Sequence, residues 1–187
     1  MPKRDGVRFL DGSFDRALIL EEPDEQLDEH LESQGIETQR FERGVSRGKV
    51  LGALEEHQHD LLFKRSGFEV DREVLRASDE LAAVMLCCIG DDSVDKQACA
   101  EEGVMVMNDP VSNGWSVVEK VMGEMVCLSR RIFGAVQATE RGEWTKDKRH
   151  RYELNGKSLS IIGLGNIGKQ VAKMAESFGM DIHFYDN

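Results

Sequence analysis

The sequence predicts an α/β chain in two parts, on three observations. Strand-like and helix-like segments alternate five times before residue 110. A broad apolar stretch with helical spacing follows at 117–141. Beyond it, a short strand runs into three glycines, an amphipathic helix and a second strand before Asn187. The 187 residues are 40% hydrophobic and 32% charged, the balance of a folded globular chain. A formal charge of −11 opposes general binding to nucleic acid or an anionic membrane. No uninterrupted apolar run approaches the eighteen or so residues of a membrane span. Cys87, Cys88, Cys99 and Cys127 lack a C-x-x-C pair, so neither a zinc site nor a disulfide framework is expected. A reducing cytoplasm suits such thiols.

Residues 1–15 have no clear period and are expected to be an extension. "RALIL" (16–20) reads as a buried strand. "DEQLDEHLESQG" follows as a helix, with Leu27 and Leu31 four apart and Gly35 as its stop. "IETQRF" (36–41) alternates as a strand, 47–57 as a helix, and "DLLFK" (60–64) as another buried strand. "DREVLRAS" and "SVDKQACAEEG" read as helices around the strand "LAAVMLCC" (81–88), and "VMVM" (104–107) closes the series. Parallel strands need helical crossovers, so this rhythm predicts a flavodoxin-like parallel sheet over 16–110.

Residues 111–187 form the second part. Ser116 and Glu119 fit an S-x-x-E capping box. One continuous helix is expected over 117–141, about 37 Å long at 1.5 Å per residue. Its breadth of apolar surface suits burial between two bodies or at a subunit interface. "EWTKDKRHRYEL" reads as a polar loop.

The stretch "SLSIIGLGNIGKQVAKMAESFGMDIHFYDN" carries the chemistry. Gly163 permits a tight turn off the strand. Gly165 has no side chain to keep a pyrophosphate from the backbone. Gly168 lets helix and strand pack closely. The helix N-terminus, at Asn166 and Ile167, offers free N–H groups and the positive end of its dipole. Ile167, Val171, Met174 and Phe178 make the packing face, and Gly179 ends the helix. Asp186 stands where an acid can accept hydrogen bonds from ribose hydroxyls and repel a 2′-phosphate. This pattern predicts the first β-α-β unit of a Rossmann nucleotide-binding domain that takes NAD. Such a domain needs about 150 residues after its first strand. About thirty remain here, so the sequence is expected to be the N-terminal part of a longer protein.

The same stretch resembles the nucleotide-binding entry of the D-isomer-specific 2-hydroxyacid dehydrogenases. "LLFKRSGFEVDREVL", "LCCIGDDSVDKQACAEEGVMVMNDPVSNGWSVVE" and "ATERGEWTK" extend the resemblance from about residue 16 to the end. "CIG", the Ser-Asn pair and "FYDN" most resemble the bacterial D-3-phosphoglycerate dehydrogenase branch. The resemblance implies a 2-hydroxy or 2-oxo acid substrate and a homo-oligomer. It places Arg65 and Ser66 on the loop that meets the substrate's acidic groups. The backbone at Gly90 and Asp91 would cup the carboxylate, and Asn113 would face the cleft from a hinge. Lys146 would be directed at phosphate. The family's Arg, Glu and His of hydride transfer lie downstream of the second nucleotide-domain strand, so no catalytic residue is expected in this chain and no turnover from it alone. Two departures stand out: Gly67 and Phe68 occupy positions where the family often has a basic residue or threonine, and Asp92 adds negative charge beside the carboxylate turn. A glyoxylate or hydroxypyruvate reductase, or an NAD-binding regulator like the family's corepressors, remains an alternative.

The remaining polar clusters read as structural. Cys87 and Cys88 end a buried strand. His57 and His59 do not share a helical face. Asp91, Asp92 and Asp95 only superficially resemble a cation loop.

Overall fold

The computed structural model describes residues 3–4, 7–8, 13–144 and 149–187. Its contacts fall into two compact units, Met1–Pro110 and Val111–Asn187.

The first unit opens with two short strands, β1 (Lys3–Arg4) and β2 (Val7–Arg8), paired antiparallel where the sequence has no period. The main elements are β3 (Arg16–Ile19), α1 (Gln26–Ser33), β4 (Glu37–Arg40), α2 (Arg47–His57) and β5 (Leu61–Lys64). They continue with α3 (Arg72–Arg76), β6 (Ala83–Leu86), α4 (Lys96–Glu102) and β7 (Met105–Asn108). The strands form one sheet in the order β4-β3-β5-β6-β7, every neighbouring pair parallel. This is the flavodoxin-like order, with the chain reversing direction across the sheet between β3 and β5.

Alternation along each strand builds two cores. Leu18, Leu20, Leu62, Val84 and Leu86 face Val50 and Leu54 of α2, Val74 and Leu75 of α3, and Ala98 and Cys99 of α4. Ala17, Ile19, Leu61, Phe63 and Ala83 face Leu31 of α1. Central strands covered on both sides must be apolar at every position, as "ALI" in β3 and "LLF" in β5 are. Local chemistry sets the helix ends. Asp71 and Asp95 cap α3 and α4, accepting from Val74 N–H at 3.2 Å and Ala98 N–H at 2.9 Å. Gly103 closes α4 at φ 68°, a conformation that suits a residue without Cβ. Asp60 accepts from the N–H groups of Asp15 and Arg16 at 2.7 and 2.8 Å, tying down the start of β3.

The second unit contains α5 (Gly114–Arg130), α6 (Ile132–Glu140), β8 (Ser158–Ile162), α7 (Asn166–Ser177) and β9 (Asp181–Tyr185). The single helix expected over 117–141 is two helices. Arg131 turns left-handed at φ 54° and ψ 42°, ending α5 and starting α6. The Ser129 carbonyl, which a continuous helix would give to Phe133, accepts from Tyr152 N–H at 2.9 Å. The capping box is also absent. α5 begins at Gly114 behind Asn113, which places Ser116 inside the first turn. Val118 and Met122 of α5 pack with Val171 and Ala175 of α7 and with Leu159, Ile161 and Ile182 of the strands. Leu128, Phe133 and Val136 are exposed. β8 and β9 pair parallel as a two-stranded sheet. Phe178, expected on the packing face of α7, is 42% exposed, and the buried position of that turn is Ala175. No helix among the described residues is long and apolar enough to cross a membrane.

Candidate anion and nucleotide sites

In an open parallel sheet, ligands bind at the carboxyl ends of the strands, where the strand order reverses. Here that crevice lies between the loops after β3 and β5. A cleft of about 460 Å³ occupies it, lined by Glu21, Arg43, Arg65 and Ser66 among others. Glu21 shapes the cleft from within. Its carboxylate accepts from Arg65 N–H at 2.9 Å and Gly67 N–H at 2.6 Å. Glu21 and Glu22 are both left-handed, at φ 65° and 51°. Such strain in non-glycine residues persists where surrounding structure fixes it, and it clusters at ligand sites. A Cβ at position 67 would collide with Glu21 Oε1, so Gly67 makes room for this tie. Arg43 escaped the sequence reading, because its loop follows the polar edge strand β4 and carries no motif.

Gly90 and Asp91 lie on the turn after β6, on the same carboxyl side of the sheet. Asn108 Nδ2 donates to Ile89 O at 2.8 Å, and Cys88 Sγ donates to Gly90 O at 3.3 Å. The Asp91 carboxylate pairs with Lys96 at 3.0 Å. Asp92 remains beside the turn, its Oδ2 3.9 Å from where a Cβ on Gly90 would stand. Burial raises the Cys87 pKa and lifts Cys99 to about 11, so these thiols are poor nucleophiles. The rings of His57 and His59 meet edge to face with centroids 5.8 Å apart. Among the described residues, no group of three potential metal ligands occurs.

In the second unit the glycines stand in the predicted turn. Gly163 adopts φ 90°. A Cβ on Gly168 would overlap the Gly163 carbonyl oxygen, whereas a Cβ on Gly165 would meet nothing within 4 Å. So Gly168 is needed for packing, and Gly165 leaves the approach to the helix open. Gly165 is the N-cap of α7 and offers no side-chain cap. The N–H groups of this first turn, at Asn166 and Ile167, stand at the positive end of the helix dipole, where an anion is favoured. The Asn166 side chain is turned to Gln170 Nε2 at 3.1 Å, and the Ile167 side chain joins the core. Asp186 follows β9, exposed, and its Oδ1 accepts from Asn187 N–H at 3.2 Å. These groups fit a dinucleotide: a helix N-terminus without a side-chain cap, a close glycine turn and an acid after the next strand. Asn113 is exposed at the start of α5, in this unit rather than with Arg65. Lys146 lies outside the described residues.

Residues 122–187 match the sequence model described as D-isomer specific 2-hydroxyacid dehydrogenase, NAD binding domain. D-3-phosphoglycerate dehydrogenase of Escherichia coli strain K12 is 36% identical over 186 residues, which are 98% of this chain and 43% of that protein. The enzyme of that name from Methanocaldococcus jannaschii is 38% identical over 143 residues, covering 76% of this chain and 27% of its own length. This chain thus spans less than half the length of either relative. The NAD⁺-bound 3-phosphoglycerate dehydrogenase of Entamoeba histolytica superposes with a TM-score of 0.75 at 29% identity, over 94% of this chain and 54% of that one. The TT0316 protein of Thermus thermophilus shares the fold, with a TM-score of 0.83 at 22% identity, covering 90% and 55%. The arginine-lined cleft at the sheet reversal, the glycine turn and these likenesses agree: the chain belongs to the D-isomer specific 2-hydroxyacid dehydrogenase family.

Proposed function

We propose that this chain carries the substrate-side unit and the first β-α-β unit of the nucleotide-binding domain of an NAD-dependent oxidoreductase. The substrate is a D-2-hydroxy acid oxidised at its CH–OH group, and specifically D-3-phosphoglycerate. One observation carries the substrate reading: Arg43 and Arg65 line the same cleft. Two guanidinium groups suit a molecule with an anion at each end, because each can bind two oxygens of a carboxylate or phosphate. Arg43 supplies, from another loop, the second basic group that Gly67 and Phe68 do not. The relatives named D-3-phosphoglycerate dehydrogenase support the choice.

When bound, NAD would supply the hydride acceptor for oxidation at C2 of the acid. The residues of this chain bind and orient. Arg65, Ser66 and Arg43 hold the acid's anionic ends, and the Gly90–Asp91 backbone completes this site of the first unit; Asn113, in the second unit, is kept as a substrate-directed group. Lys146 is kept as a phosphate-directed group. The N–H groups at the start of α7 receive the pyrophosphate, and Asp186 receives the ribose hydroxyls. Proton transfer is assigned to no residue of this chain, and no turnover is expected from it alone. A homo-oligomer in the cytoplasm is the setting, with Leu128, Phe133 and Val136 available for burial against another copy.

The test is binding. Arg65→Ala should weaken D-3-phosphoglycerate by about 2–4 kcal/mol, the range for removing one partner of a desolvated charge pair. NAD affinity should be unchanged. Equal loss of both ligands would indicate misfolding, and no loss of either would remove Arg65 from the site.

A further inference from the structure

Lys64 ends β5, one residue before Arg65, and its side chain is fully buried. Lysines are almost never fully buried without a partner. This one donates from Nζ to Ser93 Oγ at 2.6 Å. Burial lowers its pKa, and the Glu21 carboxylate works in the opposite direction. Ser93 belongs to the turn that carries Gly90 and Asp91. The turn is pinned farther along by Val70, whose N–H donates to Ser93 O at 2.9 Å and whose O accepts from Asp95 N–H at 2.9 Å. Lys64 therefore ties the end of the Arg65 strand to the carboxylate turn from below.

An apolar side chain of similar length would fill the same space without the desolvation penalty of an ammonium. The charge has a use if an anion binds above it. Ser93 Oγ accepts from Lys64, which leaves its own O–H free to donate, and Ser93 is only half-buried. A hydroxyl already accepting from a cation is a stronger donor than a lone one.

We propose that Lys64 is a positioning residue of the anion site: through Ser93 it holds the Gly90–Ser93 turn and sets a positive charge beneath the carboxylate of the bound acid. The proposal rests on the reading of this unit as the substrate-side unit of a D-2-hydroxyacid dehydrogenase. The experiment is calorimetric titration of the 187-residue chain with D-glycerate and with D-3-phosphoglycerate. Lys64→Met should weaken both by about tenfold, roughly the loss of one charge-assisted contact. Its melting temperature should stay level or rise. Ser93→Ala should lose a comparable factor, Ser93→Thr should retain binding, and the double variant Lys64→Met with Ser93→Ala should be no worse than Lys64→Met. Unaltered affinity in Lys64→Met would overturn the proposal. So would a joint loss of binding and stability, or additive losses in the double variant. If the wild-type chain binds both acids equally while the Lys64→Met loss persists, only the phosphorylated-substrate reading fails. If it binds neither, both fall.

Discussion

His59 is almost fully buried just before β5, and its Nδ1 has no hydrogen-bond partner among the described residues. Burial, then His57, then Arg16 lower its pKa below the ordinary 6.5. The unfolded chain therefore binds a proton that the folded chain resists between that lowered pKa and 6.5, so stability rises with pH across this window and is lost on acidification. Chemical denaturation from pH 7 downward should show this slope, and His59→Phe should flatten it. At the other end of the chain, Asp186→Ala should raise the KM for NAD and narrow its lead over NADP in the complete enzyme. An unchanged preference would mean that another group meets the ribose. Individual residues were unevenly legible in the sequence. The three glycines announce themselves because each has a local job in one short motif, and Arg65 and Ser66 stand out only through the resemblance of their loop to the family's. Arg43 and Lys64 do not. Arg43 reaches the cleft only because β4 pairs beside β3, and Lys64 reads as the polar end of a buried strand until β6 brings Ser93 to it.

The break between α5 and α6 depends on more than its own sequence. Apolar spacing runs unbroken through 117–141, with no proline near Arg131, so local pattern favours one helix. Tyr152, more than twenty residues onward, takes the Ser129 carbonyl instead. A left-handed non-glycine residue costs roughly 1–2 kcal/mol. Arg131→Gly should therefore stabilise the second unit by up to about 1 kcal/mol, because the glycine's own entropy offsets part of the relief. Urea unfolding followed by tryptophan fluorescence would measure it, and a destabilised glycine variant would show that the Arg131 side chain holds the break. From β3 to β7 the strands and helices of the first unit were legible, because their periods change cleanly and glycine or aspartate marks several of their ends; the short β1–β2 pair was not, because two-residue strands carry no period. The capping box failed because the helix starts at Gly114 behind Asn113, three residues earlier than expected.

The two units differ in how much each buries. The first has a five-stranded sheet with cores on both faces. Among its described residues the second has two strands, one core, and Ile162 90% exposed on β8. A two-stranded sheet is marginal by itself and draws its stability from what covers it. Amide exchange across 156–187 should accordingly be faster than across 16–110 in the purified chain. The exposed Leu128, Phe133 and Val136 should drive self-association at high concentration, read as a light-scattering mass above that of one chain. A monodisperse monomer, uniformly protected through Tyr185, would contradict this division.

Gly165 and Gly168 belong to one motif, yet a saturation library should pull them apart. Any side chain at 168 begins with a carbon that overlaps the Gly163 carbonyl, so every replacement there should deplete in a screen for protein abundance. At 165 the first carbon meets open space, and many replacements should survive that screen. They should vanish only when the library is sorted for retention on immobilised NAD. Inheritance can then tolerate drift at 165 wherever a descendant gives up the cofactor, while 168 stays glycine for as long as the chain folds this way.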